Sequence, residues 1–251
     1  MEEKVTESKF KFPTETVELP SKGLIYPKDN PLSSGKIEMK YMTAKEEDIL
    51  TNANYLQRGI VIDKLLESLI VSKINYSDLI LGDKNALLIA ARVLGYGKDY
   101  EFAYGNEKLT IDLTTLEDKN LNPKDLKEEG TNEFEFTLPN SKTLITFKLL
   151  THGDEKLIER ELEGLKKIKK DIVPESTTRL KYLITSVDND REKKNIREFV
   201  DTYLLARDAR ALREEIRRIS PDVELKYYGD DVEEAINVPI DITFFWPDSR
   251  I

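Results

Sequence analysis

The strongest constraint on the fold is a repeat: the order of elements legible in the first half of the chain recurs in the second. Ile37, Met39 and Tyr41 alternate with Glu38, Lys40 and Met42, as in a short half-buried strand, and Thr43-Ala44-Lys45-Glu46 has the spacing of a capping box that opens a helix. Aligning Ile37 with Ile145 sets Lys40 on Lys148, Thr43 on Thr151 and Glu47 on Glu155, with Met42, Ile49 and Leu50 on Leu150, Leu157 and Ile158. Further on, Asp83, Ala86, Leu87 and Arg92 fall on Asp208, Ala211, Leu212 and Arg217, and Tyr100 and Phe102 on Leu225 and Tyr227. The second copy is longer between these landmarks, and the charged residues 154–172 accommodate the difference. A tandem duplication changes the expected architecture. It predicts an α+β fold of two pseudo-repeats, residues 36–116 and 133–251, each a short strand, amphipathic helices and a β-hairpin. Residues 117–132, polar and containing Pro123 and Gly130, are expected to be a surface linker.

Residues 1–35 read as an extended N-terminal arm. Proline at both ends of Leu19-Pro20-Ser21-Lys22-Gly23-Leu24-Ile25-Tyr26-Pro27 disfavours helix. Residues 1–16 are expected to be free, whereas Leu19, Leu24, Ile25 and Tyr26 would sit in water unless they dock on a partner or on the body of the protein. They are therefore candidate partner-binding residues. Ile62, Leu65, Leu66, Leu69 and Ile70 have helical spacing, and Asp83 stands where it could cap a helix ending at Gly95-Tyr96-Gly97. In the second half, Leu180, Leu183, Ile184 and Val187 form one helical stripe, and the residues from Ile196 to Ile216 form a longer one. At the C-terminal end Ile236, Val238, Ile240, Ile242 and Phe244 alternate as a strand, with Pro247 ending the ladder. Alternation sends Phe244 and Trp246 inward and Phe245 outward, making Phe245 a further candidate for partner contact.

Chemistry is sparse. The chain has 251 residues, 35% of them charged against roughly 25% in ordinary soluble domains, and a net charge of -9. The acidic balance argues against a broad nucleic-acid surface. The absence of cysteine excludes disulfides, thiolate metal sites and a cysteine nucleophile. His152 is the only histidine; any Ser-His-Asp arrangement would need it, and at the expected start of a helix a capping or solvent role is commoner. No Gly-rich phosphate loop, zinc signature or EF-hand spacing occurs. Asp188-Asn189-Asp190 reads as a polar loop, and Lys166-Lys167-Ile168-Lys169-Lys170 as a solvated helix face. No cofactor and no small-molecule substrate are expected. Residues 1–12 lack the apolar core of a signal peptide and no apolar run could span a bilayer, so the chain is expected to be cytoplasmic where it is made.

The matched charges allow a sharper expectation. Asp83 and Arg92, like Asp208 and Arg217, are spaced so that they lie on opposite faces of a straight helix and cannot pair with each other. They could instead pair reciprocally, Asp83 with Arg217 and Asp208 with Arg92; the alternative is a helix cap for Asp83 and ordinary surface charge for the arginines.

The Leu19-to-Pro27 run, Ile37 to Asn52 (IEMKYMTAKEEDILTN), Leu81-Gly82-Asp83-Lys84-Asn85-Ala86 with Gly95-Tyr96-Gly97, and the terminal Phe244-Phe245-Trp246-Pro247 together resemble the T4-like bacteriophage baseplate hub family. The likeness covers nearly the whole chain through short motifs in a fixed order. It implies a non-enzymatic protein that binds other tail proteins, in the host cytoplasm during assembly and in the tail baseplate if retained. The alternative within that resemblance is a transient tail-assembly chaperone absent from the virion. Relatives in this family often carry CxxC pairs in the hairpins after the helices. The matching residues 100–110 and 225–238 contain no cysteine, so metal dependence does not carry over.

Overall fold

The computed structural model describes residues 13–105, 107–168, 173–229, 235–240 and 244–245. It is an α+β fold of small antiparallel sheets and packed helices. The first sheet pairs β1 (Thr14–Glu18) with β2 (Lys36–Lys40), from Thr14 opposite Lys40 to Glu18 opposite Lys36. Helices α1 (Ala44–Leu50), α2 (Ala53–Gln57), α3 (Val61–Leu69) and α4 (Leu81–Tyr96) follow, then the hairpin of β3 (Asp99–Tyr104) and β4 (Glu107–Asp112). The apolar stripe of α3 is the expected one, with Leu65, Leu66 and Leu69 fully buried.

The segment expected to be an arm is part of this first unit. Thr14–Glu18 is a sheet strand, and residues 19–35 are the connection of a long hairpin, closed where Leu19 N–H donates to the Gly35 carbonyl at 2.8 Å. Two glycines permit the closure. Gly23 and Gly35 have φ of +77° and +67°, and a Cβ on Gly23 would lie 2.6 Å from Gly35 N, while one on Gly35 would lie 2.7 Å from the Lys22 backbone. Leu19, Ile25 and Tyr26 are buried in the core and Leu24 packs against it. Their apolar surface is thus used internally, and the expectation that these four residues bind a partner is corrected.

The second unit opens with β6 (Phe134–Thr137) and β7 (Leu144–Phe147) and continues through α5 (His152–Ile168) and α6 (Glu175–Leu183). It then departs from expectation. Ile184 and Val187 do not extend a helical stripe: α6 stops at Leu183, and the β-branched run of β8 (Ile184–Val187) adds a third strand beside β7. The first unit makes the same move in miniature, since Ile70, directly after α3, bridges to Met39 of β2. The long stripe that follows is also interrupted. It consists of α7 (Lys193–Glu198), a π-helical turn (Phe199–Tyr203) and, after an extended break at Leu204 and Leu205, α8 (Ala206–Ile219).

One hydrophobic core runs through both units. The expected surface linker is woven into it: β5 (Asp118–Lys119) pairs with β9 (Asp222–Val223), Leu121 is buried, Leu121 N–H donates to Pro20 O, and Gly130 N–H to Leu24 O. Further on, β10 (Lys226–Tyr227) pairs with β11 (Ile236–Asn237). Ile236 and Val238 face inward as the alternation requires, but Phe244 and Phe245 are not in a strand. Both rings are buried, 5.2 Å apart edge to face, with Phe244 also 4.9 Å from Tyr100. Phe245, 1% exposed, therefore closes the core and offers nothing to a partner. Trp246 and Pro247 lie outside the described residues.

Candidate functional site

Two buried carboxylates organise the two units in the same way. Asp83, in the first turn of α4 with Ile80 as the N-cap, accepts hydrogen bonds from Ser21 N–H (2.9 Å), the Ser21 hydroxyl (2.7 Å) and the Tyr26 hydroxyl (2.6 Å). Asp208, in the first turn of α8, accepts from Asn140 N–H and its side-chain amide (both 2.8 Å) and from Ser141 N–H (2.9 Å). In each case a Leu-Pro dipeptide, Leu19-Pro20 or Leu138-Pro139, delivers the donors from the hairpin connection to the helix. Burial pushes Asp83 above the ordinary carboxylate range in spite of its donors. Burial acts on Asp208 in the same direction, but the bonds from Asn140 and Ser141 outweigh it and hold the carboxyl at about 2.

A second matched device lies between strand and helix. Lys40 Nζ pairs with Glu46 at 2.8 Å, and Lys148 Nζ with Asp154 at 2.7 Å; in both, the other carboxylate oxygen accepts the N–H of the threonine, Thr43 (3.0 Å) or Thr151 (3.1 Å). Glu46 is fully buried, yet bonds from Lys40, Thr43 and Ser68 overcome the desolvation that would raise its pKa and hold it at about 2.

The reciprocal Asp–Arg pairs do not form. Asp83 and Asp208 are saturated by the loop donors. Arg92 turns back on the end of its own helix, donating to the Gly97 carbonyl (2.6 Å) and the Asp99 carbonyl (3.0 Å) near the rings of Tyr96 and Tyr100. Arg217 is exposed.

Where the units meet, a cavity of about 520 Å³ is lined by Ile62, Asp63, Lys84, His152, Glu155 and Arg179, among others. Asp63 is its centre: Lys84 Nζ lies at 2.5 Å, the Tyr76 hydroxyl at 3.2 Å, Lys156 Nζ at 3.4 Å and His152 Nε2 at 3.6 Å. His152 also stands edge-on to Tyr76, with centroids 4.8 Å apart, and its backbone N–H donates to Leu79 O across the junction. Arg179 is matched by Glu155 at 2.6 Å. His152 thus has a carboxylate partner in Asp63, and no hydroxyl is hydrogen-bonded to its ring among the described residues.

Burial lowers the His152 pKa, Asp63 opposes the shift, and Lys84 and Lys156 reinforce it. The unfolded chain, with the ordinary value of 6.5, therefore takes up this proton more readily than the folded one. Stability present above about pH 6.5 should be lost progressively as the pH falls from there through the lower folded value. Urea melts across pH 5 to 8, roughly the range in which histidine titrates, should show that loss in the natural sequence and not in His152→Gln. Superimposable pH profiles for the two proteins would rule it out.

A second cavity, of about 360 Å³, is lined by Lys148, Lys181, Arg191, Lys193 and Arg197 around Tyr182 and Ile184. Carboxylates match most of these cations: Asp154 faces Lys148, Asp201 faces Lys181, Glu133 faces Arg191, and Glu161 faces Arg197. Lys193 alone among these five has no ion pair among the described residues. Among those residues no group of three or more His, Asp or Glu side chains is placed to hold a metal ion, and no helix is long and apolar enough to cross a membrane. Asp188 and Asp190 serve a turn, accepting from Leu144 N–H and Glu192 N–H.

No family model, curated protein or solved structure matches the chain. The residues that reading the sequence missed are Ser21 and Tyr26 as partners of Asp83, Asn140 and Ser141 as partners of Asp208, and Asp63 as the hub of the junction. The first four had a signal, the Leu-Pro dipeptide that precedes the donors in both halves. Asp63 had none, because its partners Tyr76, Lys84, His152 and Lys156 come from a turn, from α4 and from α5 of the second unit.

Proposed function

We propose that the protein is a non-enzymatic component of a bacteriophage tail baseplate, binding other tail proteins at the hub. One observation carries this reading. Two of the motifs that carry the family resemblance, Leu19 to Pro27 and Leu81 to Ala86, converge on a single buried cluster in which Ser21 and Tyr26 hold Asp83. The resemblance therefore rests on residues that jointly build one structural device, which unconnected short strings would not do. Most of the charges in both cavities are matched against one another, which supports a structural framework. On this reading the chain is made in the host cytoplasm and is carried into the tail.

A mass-spectrometric inventory of purified virions, combined with pull-downs of co-expressed tail proteins, tests the proposal. The protein is expected in stable complex with at least one hub or tail protein and in the particle at fixed stoichiometry. Recovery in assembly complexes but not in particles would replace the structural role with that of a chaperone. Absence from both would overturn the baseplate reading.

A further inference from the structure

Helix α8 has a solvent face unlike the rest of this acidic chain. At 100° per residue, Arg207, Arg210, Arg213 and Arg217 fall within an arc of about 120°, opposite the buried side formed by Asp208, Leu212 and Ile219. All four arginines are exposed. Arg210 pairs with Glu214 at 2.9 Å, while Arg207, Arg213 and Arg217 make no ion pair among the described residues. Three uncompensated guanidinium groups along about 15 Å of helix contrast with a net charge of -9 for the whole chain.

A second observation lies at the N-terminal end of the same helix. The π-helical turn Phe199–Tyr203, closed where Leu204 N–H donates to Phe199 O at 2.9 Å, leads into the break before α8. Tyr203 and Leu205 are left 60% and 51% exposed there. Such π-turns are uncommon and recur at functional sites, and tyrosine and arginine are the residue types that dominate interface energetics.

We propose that the arginine face of α8, with Tyr203 and Leu205 at its N-terminal end, is a docking surface for an acidic protein segment that carries an apolar anchor. Carboxylates match the guanidinium fork, and the anchor covers the exposed tyrosine and leucine. The length of the face favours a protein over nucleic acid. Duplex DNA carries a charge about every 1.7 Å and would extend well past both ends of the face, where the acidic remainder of the chain repels it. A short acidic segment ends where the arginines end. The inference needs no tail: baseplate incorporation could use another surface, so its failure would leave the proposed function standing.

The test uses the full chain and two labelled probes, a glutamate-rich peptide with leucines at helical spacing and a duplex DNA of similar length, each titrated at low and at physiological salt. The natural protein should bind the peptide, more weakly as salt rises, and should prefer it to DNA. Joint Arg207→Glu, Arg213→Glu and Arg217→Glu substitution should weaken peptide binding by about tenfold or more, while Tyr203→Ser with Leu205→Ser should weaken it several-fold without changing its salt dependence. If the charge-reversed protein melts early, the same three positions changed to Gln replace it. No peptide binding, equal binding by the arginine variant, or tighter binding to DNA would each overturn the proposal.

Discussion

Asp83→Ala should lower the stability of the protein by about 3 to 5 kcal/mol, the lower part of what three buried neutral donors left without an acceptor would cost. The expectation follows from what the carboxylate leaves behind. Ser21 N–H, the Ser21 hydroxyl and the Tyr26 hydroxyl all donate to it within 2.9 Å, and Ser21 and Tyr26 are buried, so the donors cannot turn to water. Each unsatisfied buried donor costs about 1–3 kcal/mol. Tyr26 retains one bond as an acceptor, from Ile80 N–H at 3.3 Å, which does not satisfy its own proton. For a chain of this size the loss corresponds to a fall in Tm of roughly 6 to 20 °C. Asp83→Asn should fall between the two proteins, because one amide oxygen can still accept while the NH2 group is set against donors. Calorimetry on the three purified proteins measures this, and a Tm for Asp83→Ala within a degree or so of the natural one would show that the loop is not held through this carboxylate.

Gly82→Ala should also destabilise strongly, by at least about 2 kcal/mol, although alanine is favoured over glycine inside a helix by about 1 kcal/mol. The opposing signs make the result diagnostic. A Cβ at this position would overlap the Pro221 carbonyl oxygen and lie 2.7 Å from the Pro221 carbonyl carbon and 3.0 Å from Asp222 Cα, all backbone atoms that cannot rotate away. Relief requires α4 to move off the segment leading into β9, which breaks the bond from the Asn85 amide to Asp222 (2.9 Å) and loosens the pairing of β5 with β9. Urea denaturation of the single variant measures the change, and a gain in stability would mean that the helix and the strand approach less closely than described.

These two positions also explain how much was legible in the sequence. Periodicity located α3, α4, the β3–β4 and β6–β7 hairpins and the start of α5, because these depend on neighbours a few residues apart. The register that placed Lys40 on Lys148 and Thr43 on Thr151 falls on two matched ion-pair devices that it did not itself foresee, since it aligned Glu47 with Glu155 whereas Glu46 and Asp154 make the contacts. What was missed involves distant partners. Residues 19–35 read as an arm because the Leu-Pro dipeptide, although repeated before Asn140, does not say which distant helix its donors reach, and Asp83 lies 62 residues from Ser21. Strand β8 was hidden because Ile184 and Val187 also fit a helical period, and β-branching was the only counter-signal. Phe245 was misassigned by extending strand alternation into a stretch where the backbone turns. Arg92 and Arg217 matched in position without matching in role, since one caps its own helix and the other lies in solvent.

The contacts across the junction also bear on synthesis. Asn85 and Asp222 are 137 residues apart, and the Tyr100 hydroxyl donates to Pro239 O over 139. A ribosome adding about 5–20 residues per second takes roughly 7–28 s to make each of these partners after the first has emerged. Through that interval α4 must wait with the backbone seat at Gly82 empty and the face that later receives β9 uncovered, and Tyr100 of β3 must wait for Phe244. The nascent first half is thus a transiently incomplete surface, and its maturation is timed by the arrival of residues 221–245 and not by its own helices.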